Sequence, residues 1–269
     1  MARSVPELKV VAEARFADLL EGKRFEASGV GARDGAFFVV FDNTTAVARV
    51  AEDLSAAEWI ETGGPGEGYE DLTWAPEDER WYAVIEAHRR KRAYQARLVE
   101  FSADWAHLAD TWLEHELQDE NKGFEGLAHV RRDERSYLLA LCEGDGSLQV
   151  FRRKKKGDGW KHKDTLRLPA AAAFDDYAGL SVRDGRVAVV SQESSALWVG
   201  TLTADAWSFT DEGKVFHFPR DGEGRARYCT VEGVAWLDAR RLVVVSDKAN
   251  KRGRDTEQSI HLVELPRRR

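Results

Sequence analysis

Four stretches decide how this chain is read: Tyr69-Glu-Asp-Leu-Thr-Trp74, Phe124-Glu-Gly-Leu-Ala-His129, Tyr177-Ala-Gly-Leu-Ser-Val182 and Val231-Glu-Gly-Val-Ala-Trp236. Each leads through a polar turn into an apolar run that ends in a carboxylate: Trp81 to Glu86, Tyr137 to Glu143, Arg186 to Glu193 and Leu242 to Asp247. A degenerate fifth copy precedes them, Ala27-Ser-Gly-Val-Gly31, with its turn at Ala32-Arg-Asp-Gly35 and its run from Ala36 to Asp42. The copies follow one another at offsets of 42, 55, 53 and 54 residues, so five units consume the 269-residue chain. Self-similarity at such a period is the mark of a repeat architecture.

After each apolar run comes another strand-like stretch, such as Tyr94 to Phe101, Ser147 to Arg152, Ala196 to Leu202 and Ser259 to Leu265. A weaker fourth follows in the middle units, as at Trp160 to Leu168 and Lys214 to Pro219. Four short antiparallel strands per unit, repeated radially, make an all-β, five-bladed β-propeller. The expected blades are about 27–68, 69–123, 124–176, 177–230 and 231–265 within a single domain. The last unit stops after its third strand, and the extended stretch Leu8 to Phe16 is free to supply the missing outer one, which removes an exposed edge. Trp105, Leu108 and Trp112 fall at helix spacing, so Trp105 to Leu117 is expected to be a local helix or loop within blade 2.

Composition narrows the function classes. With 43% hydrophobic residues, 40 basic and 47 acidic side chains and a net charge of −7, the chain has the balance of a soluble acidic protein. That disfavours a generic binder of nucleic acid or of an anionic membrane. No apolar run approaches the roughly 18 residues of a membrane span, and Met1 to Glu7 carries no signal-peptide core, so the expected location is the cytoplasm. Cys142 and Cys229 stand outside any CxxC or zinc spacing and are expected to be free thiols.

In a propeller the first strand of each blade lines the central channel, so equivalent repeat positions form a ring. The second motif position gives Ser28, Glu70, Glu125, Ala178 and Glu232. Carboxylates held that close raise one another's pKa or bind a cation. A hard divalent ion, calcium before magnesium, suits oxygen donors from separate blades. The alternative is that these Glu side chains accept backbone hydrogen bonds or pair with arginines. The ends of the second strands form an outer ring: Asp42 and Asn43, Glu86, Glu143, Glu193, Asp247 and Lys248. Basic loops follow two of them, with Arg92 in blade 2 and Arg252 in blade 5. An acidic inner ring with a basic rim is what a metal-assisted phosphate site needs; the alternative is solvated hairpin tips. The basic run Arg152 to Lys156 falls at the opposite face.

No Gly-x-Ser-x-Gly elbow, Walker loop or His-Glu-x-x-His occurs. The Phe124-Glu-Gly-Leu-Ala and Val231-Glu-Gly-Val-Ala-Trp pieces, each followed by a turn and a strand ending in an acid, resemble bacterial propellers of the SdiA-regulated and phytase-esterase-like families. The ring is also similar to that of the calcium-activated nucleotidases (apyrases), five-bladed propellers in which Glu and Ser side chains at blade starts hold calcium. That resemblance implies Ser28, Glu70, Glu125 and Glu232 as metal ligands. Blade 4 departs from it at Ala178, and Phe41-Asp-Asn-Thr44 stands where the nucleotidases carry Asp-Asp-Arg. Two expectations follow. One is a calcium-binding propeller that binds or hydrolyses a small phosphorylated or anionic ligand at the channel mouth. The other is a non-catalytic propeller whose metal is structural and whose faces dock a protein partner.

Overall fold

The apolar runs become strands buried on both faces, such as Ala36–Phe41 and Arg241–Ser246, because each lies inside a sheet with another blade packed on either side. A computed structural model describes residues 5–22, 24–66, 68–90, 92–117, 123–155, 159–228, 230–247 and 258–267. It contains five four-stranded antiparallel sheets arranged as a β-propeller.

Blade 1 is Ala27–Arg33, Ala36–Phe41, Thr44–Ala51 and Ala57–Ile60; blade 2 is Tyr69–Ala75, Arg80–Arg90, Ala93–Ser102 and His107–Trp112. Blade 3 is Phe124–Arg132, Arg135–Cys142, Ser147–Arg153 and Trp160–Arg167; blade 4 is Gly179–Arg183, Arg186–Ser191, Ala196–Thr201 and Lys214–His217. Blade 5 has Val231–Trp236, Arg241–Ser246 and Ser259–Glu264, and Lys9–Arg15 is its outermost strand. The first strands neighbour one another in a closed cycle around the axis. Two-residue turns with φ positive at both positions, such as Asp34-Gly35 and Asp184-Gly185, join first strands to second ones, the geometry that matches strand twist in a tight hairpin.

Closure is by the amino-terminal strand. Lys9 lies opposite Glu264 and Arg15 opposite Ser259, and the chain just before it bonds to blade 4, with Leu8 N donating to His217 O at 2.9 Å. Glu13 fastens this strand from the side: its carboxylate accepts from Arg227 Nη2 at 2.6 Å and from the Tyr228 hydroxyl. His261 is fully buried beside it, with Nδ1 3.8 Å from Glu13 Oε2 and Nε2 bonded to Ser246 and Ser259 Oγ at 3.1 and 3.0 Å.

One expected element is different. Within Trp105 to Leu117, His107–Trp112 is the fourth strand of blade 2, paired with Ala93–Ser102. Leu108 is 47% exposed, and Trp105, in a turn with φ +66°, stacks on Trp81 at 4.8 Å. The helical spacing joined residues that serve two different purposes. Among the described residues no helix is long and apolar enough to cross a membrane.

Candidate functional site

Where the first strand begins in blades 1, 2, 3 and 5, the pairing with the second strand skips a residue. Ala27 faces Phe41 but Gly29 faces Val40; Tyr69 faces Ile85 but Asp71 faces Val84; Phe124 and Gly126, and Val231 and Gly233, repeat the pattern. The residues passed over are Ser28, Glu70, Glu125 and Glu232. A β-bulge of this kind re-aims the extra residue's side chain, and here all four line one cavity of about 190 Å³ at the channel mouth. In blade 4, Ala178 N donates to Val190 O while Gly179 faces Val190, so Ala178 joins the same ring.

Asp42, Glu143 and Asp247 from the second ring also line it. Their backbones repeat a motif of their own: Asp42 N donates to Glu26 O, Glu86 N to Gly68 O, Glu143 N to Gly123 O and Asp247 N to Thr230 O. Glu86 stands just behind, close enough to act electrostatically on Glu70 and Glu125. Blade 4 breaks the pattern. Its second strand ends at Ser191, so the next residue, Gln192, holds the ring position and lines the cavity, while Glu193 is exposed. A one-residue slip along a strand exchanges its two faces. The carboxylate of blade 4 comes instead from Asp176, which lines the cavity and whose Oδ1 accepts from Ser191 Oγ and, at 3.1 Å, from Glu193 N. Sequence reasoning misses Asp176, Gln192 and Glu26; the acidic pair Asp175-Asp176 before Tyr177 is the available signal.

The electrostatics are those of crowded acids. Burial, and then the charge of Glu125 and the hydrogen bond shared with it, push Glu70 well above the usual carboxylate range. Burial raises Glu125 to about 7 against the hydrogen bond from Glu70, with Glu143, Glu86 and Asp42 adding to the rise. Glu232 is raised by burial and then by Asp247, Glu125, Asp42 and Asp176. No Lys or Arg among the described residues lines the cavity. Ser28 Oγ donates its one hydrogen to the Tyr69 carbonyl, with Val40 O at 3.5 Å, and so enters the cavity wall as an oxygen with acceptor capacity to spare.

The remaining predicted residues lie apart. Asn43 Nδ2 donates to Arg24 O at 3.4 Å. Arg92 lines a separate hollow at the blade 2 hairpin with Arg90, Gln95 and Glu116. Lys248 and Arg252 lie outside the described residues.

Immediately inside the ring, the third motif positions form a septum. Four are glycine, and they have to be: a Cβ on Gly179 would lie 2.1 Å from Glu232 O, and one on Gly29 2.6 Å from Asp71 Cα. The fifth is Asp71, fully buried, whose Oδ1 accepts from Leu72 N at 2.8 Å and Oδ2 from Leu127 N at 2.7 Å; burial pushes the carboxyl well up, against the pull of these amides and of Leu180 N. Beyond the septum a larger cavity of about 630 Å³ opens at the other end, with Trp74, His129, Trp236, Arg33, Arg131 and Arg183 in its wall. Its Arg33 is engaged, with Asp34 at 2.9 Å and with the Trp74 ring at 4.1 Å.

No protein-family profile and no curated protein matches the chain. Solved structures do. A glutaminyl cyclase from Myxococcus xanthus is similar at 11% identity, with 97% of this chain and 98% of that one covered and a TM-score of 0.59. CoXyl43, a GH43 β-xylosidase/α-arabinofuranosidase from a compost microbial metagenome, is similar at 9% identity, with 97% and 96% covered and a TM-score of 0.56. The GH43_1 enzyme from Xanthomonas citri is similar at 13% identity, with 96% and 91% covered and a TM-score of 0.54. At these identities the likeness is one of architecture: the chain has a five-bladed propeller fold that enzymes of several activities also have.

Proposed function

We propose that the carboxylate mouth is a divalent-cation site, for calcium before magnesium, and that a small phosphorylated or otherwise anionic ligand is held there through the cation. One observation carries this reading: Glu70, Glu125 and Glu232, with Asp42, Glu143, Asp176 and Asp247, converge on a small cavity whose described wall offers no cationic side chain. Carboxylates so placed lower their free energy by taking up protons or a metal. Every blade presents a carboxylate, blade 1 through Asp42, and blade 1 adds the Ser28 hydroxyl. Such an irregular oxygen set suits calcium, which accepts six to eight ligands, roughly, better than magnesium with its strict octahedron. Among the described residues no three His, Cys, Asp or Glu side chains are already drawn into a ligand cage, so the ion keeps part of its water shell or draws the carboxylates inward. About 190 Å³ has room for both. An anion alone would be repelled here, so its binding is conditional on the metal. The metal's chemistry would be to polarise a phosphoryl or carboxylate oxygen, which makes ester hydrolysis the activity to assay.

The docking alternative lacks its signature. The exposed large apolar side chains among the described residues are Val5, Val11 and Leu108, none of them aromatic. The deciding experiment is calorimetric titration of calcium into the full chain, followed by a phosphate-ester panel with calcium or with chelator. We expect one calcium per chain, lost in Glu125→Gln/Glu232→Gln, and ester binding or turnover only when calcium is present. A chain that binds no calcium returns the ring to proton-sharing carboxylates, and binding without turnover leaves a non-catalytic calcium propeller.

A further inference from the structure

Away from the channel, the loop that leaves the fourth strand of blade 2 brings His115 against His162, on the fourth strand of blade 3, with ring centroids 5.3 Å apart. The tautomer of His162 follows from a chain of hydrogen bonds. The Asp145 carboxylate only accepts, so Ser147 Oγ donates to Asp145 Oδ1 at 2.6 Å. Ser147 Oγ is then the acceptor for Gln149 Nε2 at 3.0 Å, which presents the amide oxygen of Gln149 to Thr165 Oγ1 at 2.8 Å and to His162 Nε2 at 2.9 Å. His162 therefore carries its proton on Nε2 and a lone pair on Nδ1. Among the described residues the His115 ring makes no hydrogen bond. Phe124 packs on His115 at 5.9 Å and Phe151 on His162 at 5.6 Å, so the pair has an apolar wall.

We infer that His115 and His162 form a two-histidine site for a late first-row divalent cation, zinc, copper or nickel, with Gln149 as the positioning residue. A metal about 2.0–2.1 Å from a ring nitrogen lies about 3.2 Å from that ring's centroid, and two such rings at a tetrahedral angle have centroids about 5.2 Å apart. The observed 5.3 Å leaves room for one ion shared by the two rings. A ligating imidazole whose other nitrogen donates to a fixed carbonyl is the usual outer-shell arrangement, and imidazole selects these metals over calcium and magnesium. Cys142, 3.9 Å from Gln149 Nε2, is pushed up by burial and stays a thiol, so it adds no soft ligand. No third His, Cys, Asp or Glu among the described residues completes a set, and the other coordination positions are open to water or to an exogenous donor.

The test is a titration of zinc chloride into the full chain in saturating calcium, which occupies the channel mouth. One equivalent is expected, weakened at least ten-fold by His115→Phe or His162→Phe, both of which keep an aromatic ring in the wall. Gln149→Leu should weaken binding by about ten- to a hundred-fold. Copper(II) should show an electron paramagnetic resonance spectrum with two nitrogen donors in the wild type and one in either single variant. Circular dichroism confirms that each variant is folded. Failure to bind zinc, or equal binding by the His115→Phe/His162→Phe double variant, overturns the site.

Discussion

Glu13 and Glu125 are both glutamates beside other titratable groups, and they behave in opposite ways. Glu13 is lowered to about 2, by His261 first and then by Tyr228 and Arg227. The His261 contact is 3.8 Å, longer than a hydrogen bond, and burial keeps that ring neutral, so the Arg227 and Tyr228 bonds at Glu13 hold the charge. Glu125 is raised to about 7 because it is buried and its neighbours are Glu70, Glu143, Glu86 and Asp42. A carboxylate supplied with donors is part of the closure; a carboxylate surrounded by its own kind keeps its proton until a cation replaces it. Asp71 is a third kind, a buried acid whose two oxygens accept from backbone amides of blades 2 and 3.

The largest effect should come from removing the closure altogether. Deleting residues up to Arg15 exposes the edge of Ser259–Glu264 and strips Glu13 from Arg227. The expected result is loss of a cooperative melt or a midpoint lower by roughly 10 °C or more. An unchanged melt would break the comparison at its first term. Asp71→Ala comes next: two buried N–H groups, of Leu72 and Leu127, lose their acceptor, at a cost of roughly 2–3 kcal/mol or more in chemical denaturation. Asp71→Asn keeps one acceptor oxygen and should cost less.

The pH profile sharpens the contrast. Glu125 keeps its proton in the folded state up to about 7, whereas the unfolded chain releases it near 4.5. The metal-free protein therefore loses stability as pH rises from about 4.5 to 7. Glu13 acts the other way: its contribution is complete above 4.5 and is lost as pH falls toward 2. Calcium should flatten the alkaline limb, release protons on binding and leave the acid limb unchanged. If calcium moves both limbs equally, or neither, the mouth is not its site. Glu125→Gln/Glu232→Gln should raise the melting temperature of the metal-free protein by a few degrees and abolish its calcium response. The smallest effect is that of Glu13→Gln. With solvent screening at this partly exposed site it should cost about 1 kcal/mol.

The propeller is legible in the sequence because the repeat is carried by residues with physical roles, aromatic or β-branched starts for the core and then small or acidic positions around the axis. Ser28, Glu70, Glu125 and Glu232 can be gathered for the same reason, since equal repeat positions in a closed ring must meet. Following charge alone picks Glu193 over Gln192, where strand register decides which face a side chain takes. Asp176 is hidden because its blade supplies the acid from outside the motif. The bulges that turn the ring residues inward leave no mark in composition. The edge strand His107–Trp112 is half-exposed, so it carries neither a clean alternation nor a continuous apolar run.

The septum of Gly29, Asp71, Gly126, Gly179 and Gly233 also divides the channel. None of these five residues lines either cavity, and the 190 Å³ and 630 Å³ chambers share no wall residue. A ligand that reaches the acidic chamber from its own end would therefore meet none of the side chains that line the other chamber, and the two ends of the channel offer chemically separate surfaces.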